Sequence, residues 1–440
     1  MDLAYGRFTT RRMNNCIDVM MLPPNPAKVQ VATPLPTVAM LTNLFPPLTT
    51  GSSTQCYQLA RELATRGHRV VVFTAAVVPG VPACEVTPEG VEVFRLSCRK
   101  LPNLSIFMNY PWFSMTMSSR NLSFMARMAR ERDVKVLHVH NHLFDMAFNG
   151  SWLSWRLGVP MVVTNHTYAM HPNRLYNTLF YLLDRMVLKY LVVDRAAAVI
   201  APDINTQDYL RRRFNRADGT LIPYGISIPT VVRQQELDAL RSEFNLVGKR
   251  VILSLGQLHV LRNRISLIRA MPEIVKAHPN VRLVIVGVVG HQPTVDLVNS
   301  LGLSQHVIFT GSQPHERIPV FNAIAEFNAV WLDYNNDSAT ASLGIGVMEA
   351  MYYGKAVISM GNIDTYGAGQ LENRKHVLLL ADDEPATVRK ALMEFLDNPS
   401  LPAAMGQQAA AFAKEHFAWE LVGARHVGLY EKLCASRVAV

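Results

Sequence analysis

The sequence predicts an α/β protein built from two doubly wound parallel sheets. Short apolar runs alternate with stretches of helical periodicity, which is the pattern of buried strands and the helices that cover them. The alternation occurs as two series, separated by a charged segment at residues 227–249. With 440 residues the chain is too long for a single hydrophobic core, so two domains are expected.

The first series begins at residue 37. A strand-like run is followed by a turn, by a helix with Cys56, Leu59 and Leu63 on one face, and by the apolar run VVVFTA at 70–75. This strand, helix, strand unit predicts parallel pairing. Further strand-like runs occur at 91–96, 135–140, 160–166, 197–202 and 220–225.

The second series opens with an apolar run from Val251 to Leu255, breaks at Gly256 and resumes with helical spacing from Ile265. The intervening turn carries His259, Arg262 and Arg264. A basic loop between a strand end and a helix start is suited to an anion, and we expect this turn to hold a diphosphate. Further strand-like runs occur at 281–287, 306–311, 329–334, 355–360 and 376–381.

The net charge of +9 is concentrated in one half of the chain. Residues 1–225 carry 24 Lys and Arg against 14 Asp and Glu. This excess favours an anionic partner, either an acidic acceptor or lipid head groups, although a basic surface also serves solubility alone. The basic residues are dispersed and accompany no recognised binding motif, so nucleic acid is not expected.

The five cysteines are scattered and match neither a disulfide framework nor a zinc site, which favours a reducing compartment. Apolar runs stay short of the ~20 residues that a membrane span requires, and the N-terminus lacks the apolar region of a signal peptide. We therefore expect a cytoplasmic protein that associates with a membrane only peripherally.

Five motifs together resemble those of the nucleotide-sugar glycosyltransferases with the GT-B fold, family 4 in particular. They are LARELATRGHRVVVFT (59–74), VPMVVTNH ending at His166, LIPYGIS (221–227), GQLHVLRN (256–263) and ASLGIGVMEAMYYGKAVI (341–358). The resemblance implies two Rossmann-like domains that face a central cleft. It covers nearly all of the chain after residue 37.

The motifs also depart from the family pattern. The family's Arg in the Gly256 motif is replaced by Gln257, its Lys by Arg262, and the first Glu of its paired glutamates by Ala341. Arg262 retains a forked cationic donor that suits phosphate. The second glutamate of the pair is kept as Glu349, and one glycine of a Gly-Gly loop is kept as Gly51.

Roles for site residues follow from the resemblance. His166 and Arg262 are the expected catalytic residues, since His166 would contact the transferred sugar or the diphosphate and Arg262 would neutralise phosphate charge. Glu349 would accept hydrogen bonds from the ribose. The expected donor-binding residues are Gly51, Gly256, His259, Arg262, Arg264, Leu343, Gly344, Ile345 and Glu349.

The implied function is transfer of a hexose from a nucleotide-diphosphate sugar with retention of anomeric configuration and without a metal. The chain lacks an Asp-x-Asp motif, and the donor is a substrate, so no cofactor is expected. His138, His140 and His142 would share one face of a strand, which leaves a metal site as an alternative. The replaced motif residues leave open a non-catalytic binding or partner subunit, and a GT-B epimerase or phosphorylase has weaker support.

The predicted domains are a tail (1–36), an N-terminal acceptor domain (37–226), a C-terminal donor domain (227–415) and a final helix (416–440). By resemblance, the final helix crosses back to the N-terminal domain. The acceptor is expected to be lipid-linked or anionic. Residues 99–130 mix aromatic and basic side chains and are a candidate membrane contact, whereas 174–191 predict a helix that covers the sheet and directs Asp184, Arg185 and Lys189 away from it.

Overall fold

A computed structural model describes residues 35–48, 51–100, 114–169, 173–226, 231–259, 264–330, 343–361, 363, 365–366 and 371–438. The chain divides into two compact units. The first comprises the chain up to Pro202, the segment Thr206–Gly225 and the segment from Trp419 onward. The second comprises Asp203–Asn205 and Ile226–Ala418.

The first unit is built on an eight-stranded sheet. Eight of the following strands form this sheet, and β5 and β6 form a separate pair: β1 (Thr37–Leu41), β2 (Val70–Ala75), β3 (Cys84–Val86), β4 (Glu92–Leu96), β5 (Arg99–Lys100), β6 (Ser114–Met115), β7 (Val134–His140), β8 (Met161–Thr164), β9 (Ala198–Ala201) and β10 (Thr220–Leu221). The sheet order is β10-β9-β8-β7-β1-β2-β4-β3, and β5 pairs separately with β6. Every neighbouring pair in the large sheet is parallel except β3 with β4, which is antiparallel.

Helices cover this sheet because its strands are apolar on both faces. All six residues of β2 are buried, as expected for an interior parallel strand. The helices are α1 (Gly51–Thr65), α2 (Ser119–Glu131), α3 (Asp145–Leu157), α4 (Arg174–Leu183) with a π-helical continuation at Asp184–Val193, and α5 (Ile204–Phe214). Cys56, Leu59 and Leu63 of α1 are buried, which confirms the predicted inner face of that helix.

The second unit is built on a six-stranded parallel sheet in the order β13-β12-β11-β14-β15-β16. Its strands are β11 (Arg250–Leu255), β12 (Val281–Val286), β13 (Val307–Gly311), β14 (Phe327–Val330), β15 (Val357–Ser359) and β16 (Leu378–Leu379). Its helices are α6 (Gln234–Glu243), α7 (Ile265–Ala277), α8 (Gln292–Ser300), α9 (Ile318–Ile324), α10 (Gly344–Tyr352), α11 (Pro385–Asp397) and α12 (Ser400–Phe417). The last helix, α13 (Trp419–Val438), belongs to the first unit.

Strand register places the ends that carry candidate site residues. Leu255 of β11 pairs with Val286 of β12, so Gly256 lies beside the residue that follows β12. In the first unit, His140 pairs with Thr164, so β7 and β8 end together and His166 follows at the same edge. The carboxyl ends of parallel strands are where α/β sheets hold ligands.

Two predicted strands are much shorter in the structure. The run at 220–225 forms only β10, and the run at 376–381 forms only β16. Both strands lie at a sheet edge and pair with one neighbour. In the first case Pro223 lacks the backbone N–H that would continue the ladder. Of the run at 329–334, residues 331–334 lie outside the described residues.

The interpretation of 174–191 is wrong in one respect. The segment is helical, but Asp184 is fully buried on the inner side rather than directed away from the sheet. Several apolar side chains of the same helix, Leu175 and Met186 among them, are exposed. Amphipathic spacing alone does not identify which of two apolar stripes faces the core.

Cys56, Cys98 and Cys434 are free thiols. Cys84 is disulfide-bonded, which the scattered spacing of the cysteines did not predict. Among the described helices, none is both long enough and apolar enough to cross a bilayer.

Replacing Gly406 by Ala tests helix packing in the second unit. A Cβ at Gly406 of α12 would clash with the carbonyl group of Gly354, its carbon being only 2.8 Å away, and a backbone group cannot rotate aside. We expect Gly406→Ala to lower the free energy of unfolding by about 2 kcal/mol despite the better helix propensity of Ala. Differential scanning calorimetry measures the loss.

The matched control is Gly428→Ala in α13, where a Cβ would meet nothing within 4 Å. This variant should leave the thermal transition unchanged or raise it slightly, because Ala favours helix over Gly. Equal effects of the two substitutions would show that the contact between Gly406 and Gly354 does not limit stability.

Candidate functional site

The turn after β11 is shaped by two glycines that approach each other closely. Gly256 has a φ of 113°, a conformation that side chains rarely adopt. A Cβ at Gly287, which follows β12, would lie 2.5 Å from the carbonyl oxygen of Gly256. The two strand ends therefore pack backbone against backbone, and larger residues are excluded at this point.

The buried side chain of Arg264 stabilises the same turn through hydrogen bonds to its backbone. Its side chain is buried, with 1% exposed, and it immediately precedes α7. The guanidinium donates to the carbonyl oxygens of Leu255 (2.9 Å), Gly256 (3.2 Å) and Gln257 (2.9 Å), and to Ser254 Oγ (3.2 Å). These contacts direct it toward the protein, so they favour a positioning role over the predicted phosphate contact.

Of the other two basic residues of the predicted diphosphate site, the structure describes His259 but not Arg262. His259 is half-buried just after Leu258, which bridges to Val289. Arg262 lies in 260–263, outside the described residues. The predicted donor-binding roles of both stay predictions.

The start of α10 packs against the end of β11. The helix begins at Gly344, with Leu343 as its N-cap residue and Ile345 in its first turn. A Cβ at Gly346 would lie only 3.4 Å from Leu255 Cβ, so the helix approaches the strand closely at the residue before Gly256. The structure thus brings together two groups of predicted donor-binding residues that are far apart in sequence, one around Gly256 and the other around Gly344. The N–H groups of the first turn point out of such a helix start, where the positive end of the helix dipole also lies.

Glu349 lies one turn further into α10, with 14% of its side chain exposed. Burial raises the pKa of this carboxyl from 4.5 to about 7. Burial also raises the pKa of Tyr353, with the charge of Glu349 as a further cause. His315, which follows β13, places Nε2 at 3.7 Å from Glu349 Oε1 and is half exposed. The carboxyl group of Glu349 therefore changes its protonation state near neutral pH.

A separate group of residues surrounds His166 in the first unit. His166 Nε2 lies 3.1 Å from His140 Nδ1, and His166 Nδ1 lies 3.0 Å from the hydroxyl of Tyr224. The His166 ring is stacked against both neighbours, with interplanar angles of 11° and 8°. Both ring nitrogens are thus engaged by protein groups. The prediction that His166 contacts the transferred sugar or the diphosphate stays a prediction.

These histidines are neutral. Burial lowers the pKa of His166 to about 3 and holds the pKa of His138 and His140 well below the usual value, with neighbouring imidazoles as a further cause. Burial likewise lowers the pKa of His426 to about 4. A neutral imidazole has one donor and one acceptor nitrogen, so the group can pass a hydrogen bond along but does not hold positive charge.

The expected common face of His138, His140 and His142 is wrong. Strand β7 ends at His140, and Asn141 has a φ of 86°, which turns the chain. His142 consequently lies against Phe214 and near Asp184, apart from the other two. Within the described ranges, no three His, Cys, Asp or Glu side chains are grouped so as to hold a metal ion.

Helix α13 completes the histidine group. The hydroxyl of Tyr430 lies 2.7 Å from His138 Nδ1, and Trp419 covers Gly225, where any Cβ would overlap the indole ring. Gln55 of α1 donates to the carbonyl oxygen of Gly225 at 3.2 Å. Gly51, a predicted donor-binding residue, is exposed at the start of α1, one turn before Gln55.

Comparisons with known proteins agree with this architecture. The glycosyl transferase 4-like domain matches residues 50–225, and glycosyl transferases group 1 matches residues 238–412. The chain is a GT-B glycosyltransferase that resembles family 4. Both predictions, of the family resemblance and of the fold class, are confirmed.

Three proteins illustrate the likeness of this glycosyltransferase. It is 22% identical to an alpha-monoglucosyldiacylglycerol synthase of Streptococcus pneumoniae, over 74% of this chain and 71% of that protein. It is 25% identical to a D-inositol 3-phosphate glycosyltransferase of Kineococcus radiotolerans, over 88% of this chain and 92% of that protein. The structure of Anabaena Alr3699/HepE in complex with UDP and glucose superposes with a TM-score of 0.67 at 17% identity, covering 90% and 99% of the two chains.

Sequence reasoning missed two residues of these groups. His315 could have been noticed because it follows the carboxyl end of a predicted parallel strand, where ligand-binding residues collect. Tyr224 lies within the motif LIPYGIS, and nothing in its spacing indicated that it would meet His166. Contacts between distant strand ends are set by the sheet order.

The raised pKa of Glu349 predicts a pH-dependent stability for the glycosyltransferase. The folded state binds the proton of this carboxyl more tightly than the unfolded state does. The contribution of Glu349 to the free energy of unfolding is therefore fully present below pH 4.5 and is lost as the pH rises to about 7. Relative to Glu349→Gln, we expect the wild-type free energy of unfolding to fall by about 3 kcal/mol across this range. Denaturant unfolding at a series of pH values measures the difference.

Glu415→Gln is the control, because Glu415 is an exposed residue on α12 of the same unit. Its unfolding curve should follow that of the wild type at every pH. If the wild type and Glu349→Gln also run parallel from pH 4.5 to pH 7, burial does not perturb Glu349 as the structure indicates.

Proposed function

We propose that this glycosyltransferase moves a hexose from a nucleoside-diphosphate sugar to an acceptor hydroxyl, with retention of anomeric configuration and without a metal ion. The observation that carries the donor assignment is the contact between the start of α10 and the end of β11 at Gly346 and Leu255. It joins a helix N-terminus to a glycine turn that is followed by basic residues. Such a combination suits a diphosphate.

The donor is held, in this proposal, through both ends of its nucleotide. N–H groups near Leu343, Gly344 and Ile345 bind the diphosphate, together with Arg262 and His259. Glu349 accepts hydrogen bonds from the ribose hydroxyls as a carboxylate. The Anabaena structural relative supports a nucleotide sugar as the donor class, since its structure is a complex with UDP and glucose.

The proposed chemistry stabilises the leaving group. As the bond between the anomeric carbon and the diphosphate oxygen breaks, negative charge develops on the diphosphate, and Arg262 with the start of α10 offsets it. The acceptor oxygen forms its bond to the anomeric carbon on the same face. The proton of the acceptor hydroxyl passes to the departing phosphate oxygen. For neutral His166 to hydrogen-bond the sugar in this proposal, one of its ring nitrogens leaves His140 or Tyr224.

The proposed acceptor is anionic or lipid-linked, and the enzyme works as a peripheral membrane protein on the cytoplasmic side. The excess of Lys and Arg in residues 1–225 supports this, as does a relative that is named for the synthesis of a glucosyldiacylglycerol. Of the candidate membrane contact at 99–130, residues 101–113 lie outside the described residues.

A non-catalytic binding or partner subunit is the alternative, since Gln257 and Ala341 stand where the family has Arg and Glu. Nucleotide binding separates the two readings. A subunit that kept only the fold has no need for a diphosphate site.

Calorimetric titration with UDP and GDP, followed by a hydrolysis screen of their sugars, tests donor binding. We expect one of the two nucleotides to bind and Arg262→Ala to weaken its affinity about tenfold to a hundredfold, because a charge-assisted contact to phosphate is lost. Arg269→Ala is the matched control, since Arg269 is exposed on α7 a few residues further on. Absence of binding by the wild type would favour the subunit.

Product analysis tests the stereochemistry and the metal requirement. With the donor identified by the screen, proton NMR of the first product should show the same anomeric configuration as the donor. Excess EDTA should leave the rate unchanged, because protein cations and a helix terminus offset the leaving charge in this proposal. An inverted product would refute retention, and a loss of rate that Mn²⁺ restores would refute metal independence.

A further inference from the structure

The helix at Arg174–Val193 presents an apolar stripe to solvent. Its members are spaced three or four residues apart, so they share one outer face: Leu175, Leu179, Leu182, Met186 and Tyr190. Between 44% and 68% of each of these five residues is exposed. Single exposed apolar residues are ordinary on a protein surface, but a continuous stripe along one helix marks an interaction surface.

The opposite face of this helix is fixed to the first unit. Phe180, Leu188 and Val192 are buried against it. Asp184 is fully buried and accepts a hydrogen bond of 2.7 Å from the hydroxyl of Tyr209. Rotation of the helix to bury the exposed stripe would expose the apolar residues that are now buried. It would also break the hydrogen bond between Tyr209 and Asp184.

The charge around the stripe is positive. Arg174 and Arg185 are exposed along one edge of it. Asp184 is the single acidic residue between positions 174 and 193, and it is directed inward. Lys189 is paired with Asp194 at 2.7 Å. The outer face of the helix thus combines apolar side chains with arginines and has no exposed carboxylate.

The apolar surface continues beside the end of the helix. Helix α3 packs against the Asp184–Val193 segment, and Trp155 near the end of α3 is 71% exposed. Trp155 lines a surface depression together with Arg195, which also donates to the carbonyl oxygen of Tyr190 at 3.3 Å. Tryptophan and tyrosine beside arginine are the side chains that favour the boundary between lipid head groups and acyl chains.

We propose that this docking face, the exposed stripe from Leu175 to Tyr190 with Trp155, lies on the surface of an anionic lipid bilayer. The apolar side chains enter the head-group boundary, and Arg174, Arg185 and Arg195 contact lipid phosphates. The inference rests on the proposed peripheral membrane association and assigns it to a surface other than residues 99–130. It involves none of the residues proposed for donor binding.

Vesicle flotation of the full-length protein tests the assignment. The wild type should float with vesicles of phosphatidylcholine and phosphatidylglycerol at low salt, and binding should weaken in pure phosphatidylcholine and at high salt. We expect the double variant Leu175→Glu with Met186→Glu to lower the vesicle partition coefficient at least about tenfold, since it removes two apolar contacts and adds two repelled charges.

A matched control carries the same two substitutions elsewhere. Val231→Glu with Val247→Glu replaces two apolar residues that are 92% and 68% exposed in the second unit, and it should float as the wild type does. Calorimetry with the nucleotide should give the same affinity for the wild type and for both double variants. A change in donor affinity would show that the substitutions disturb the whole protein and would overturn the assignment.

Quenching of Trp155 provides a second measurement. Brominated phosphatidylcholine, mixed into the anionic vesicles, should quench part of the tryptophan fluorescence of the wild type. This part should be missing in Trp155→Phe, which replaces an exposed side chain and retains its apolar character. Equal quenching in both proteins would place the membrane contact elsewhere.

The remaining outcomes distinguish failure of the proposed docking face from failure of the proposed membrane association. If the wild type and the Leu175/Met186 variant float equally, the docking face is wrong while membrane association survives. If the wild type does not float at all, both are wrong, and the transferase proposal is judged by calorimetry alone. If the variant instead converts a dimer into a monomer without any vesicle binding, the face joins two copies of this chain and the bilayer is refuted.

Discussion

The buried guanidinium of Arg264 is the interaction on which the candidate donor site depends. A charge removed from water is tolerated only where its donors are satisfied, and here the carbonyl groups of Leu255, Gly256 and Gln257 accept them. The carbonyls are thereby gathered on the inner side of the turn. The approach of Gly287 to Gly256 locks the same backbone from the neighbouring strand.

This braced turn also explains why α10 can come so close. Gly346 meets Leu255 so closely that a Cβ at this position would already be in van der Waals contact with Leu255 Cβ, at 3.4 Å. The positive end of the helix then lies beside a rigid strand end, and Glu349 is carried into surroundings that disfavour its charge. The shape of the turn, the helix position and the unusual carboxyl are consequences of one arrangement of backbone groups.

In the first unit, several imidazoles are buried in the neutral state. His138 and His166 have both ring nitrogens directed at hydroxyl groups or at another imidazole, His140 has only Nδ1 so directed, and burial keeps all three neutral. Helix α13 supplies one of these hydroxyls through Tyr430. The same unit exposes an apolar and basic face of the helix at Arg174–Val193. Its buried imidazoles are neutral, whereas its arginines on that helix lie in contact with solvent.

The sequence by itself determined the alternation of strands and helices, the parallel pairing and the GT-B family resemblance, because buried parallel strands are apolar on both faces and local motifs persist in a single chain. It also identified Gly256 and Gly344 as special backbone positions, which depend on local geometry. Only the tertiary structure decided that Arg264 points into the turn, that Tyr224 engages His166 and that His142 leaves the other histidines. It also decided which stripe of the 174–193 helix is buried. Those outcomes depend on sheet order and on contacts between residues far apart in the chain, and residue spacing carries no record of either.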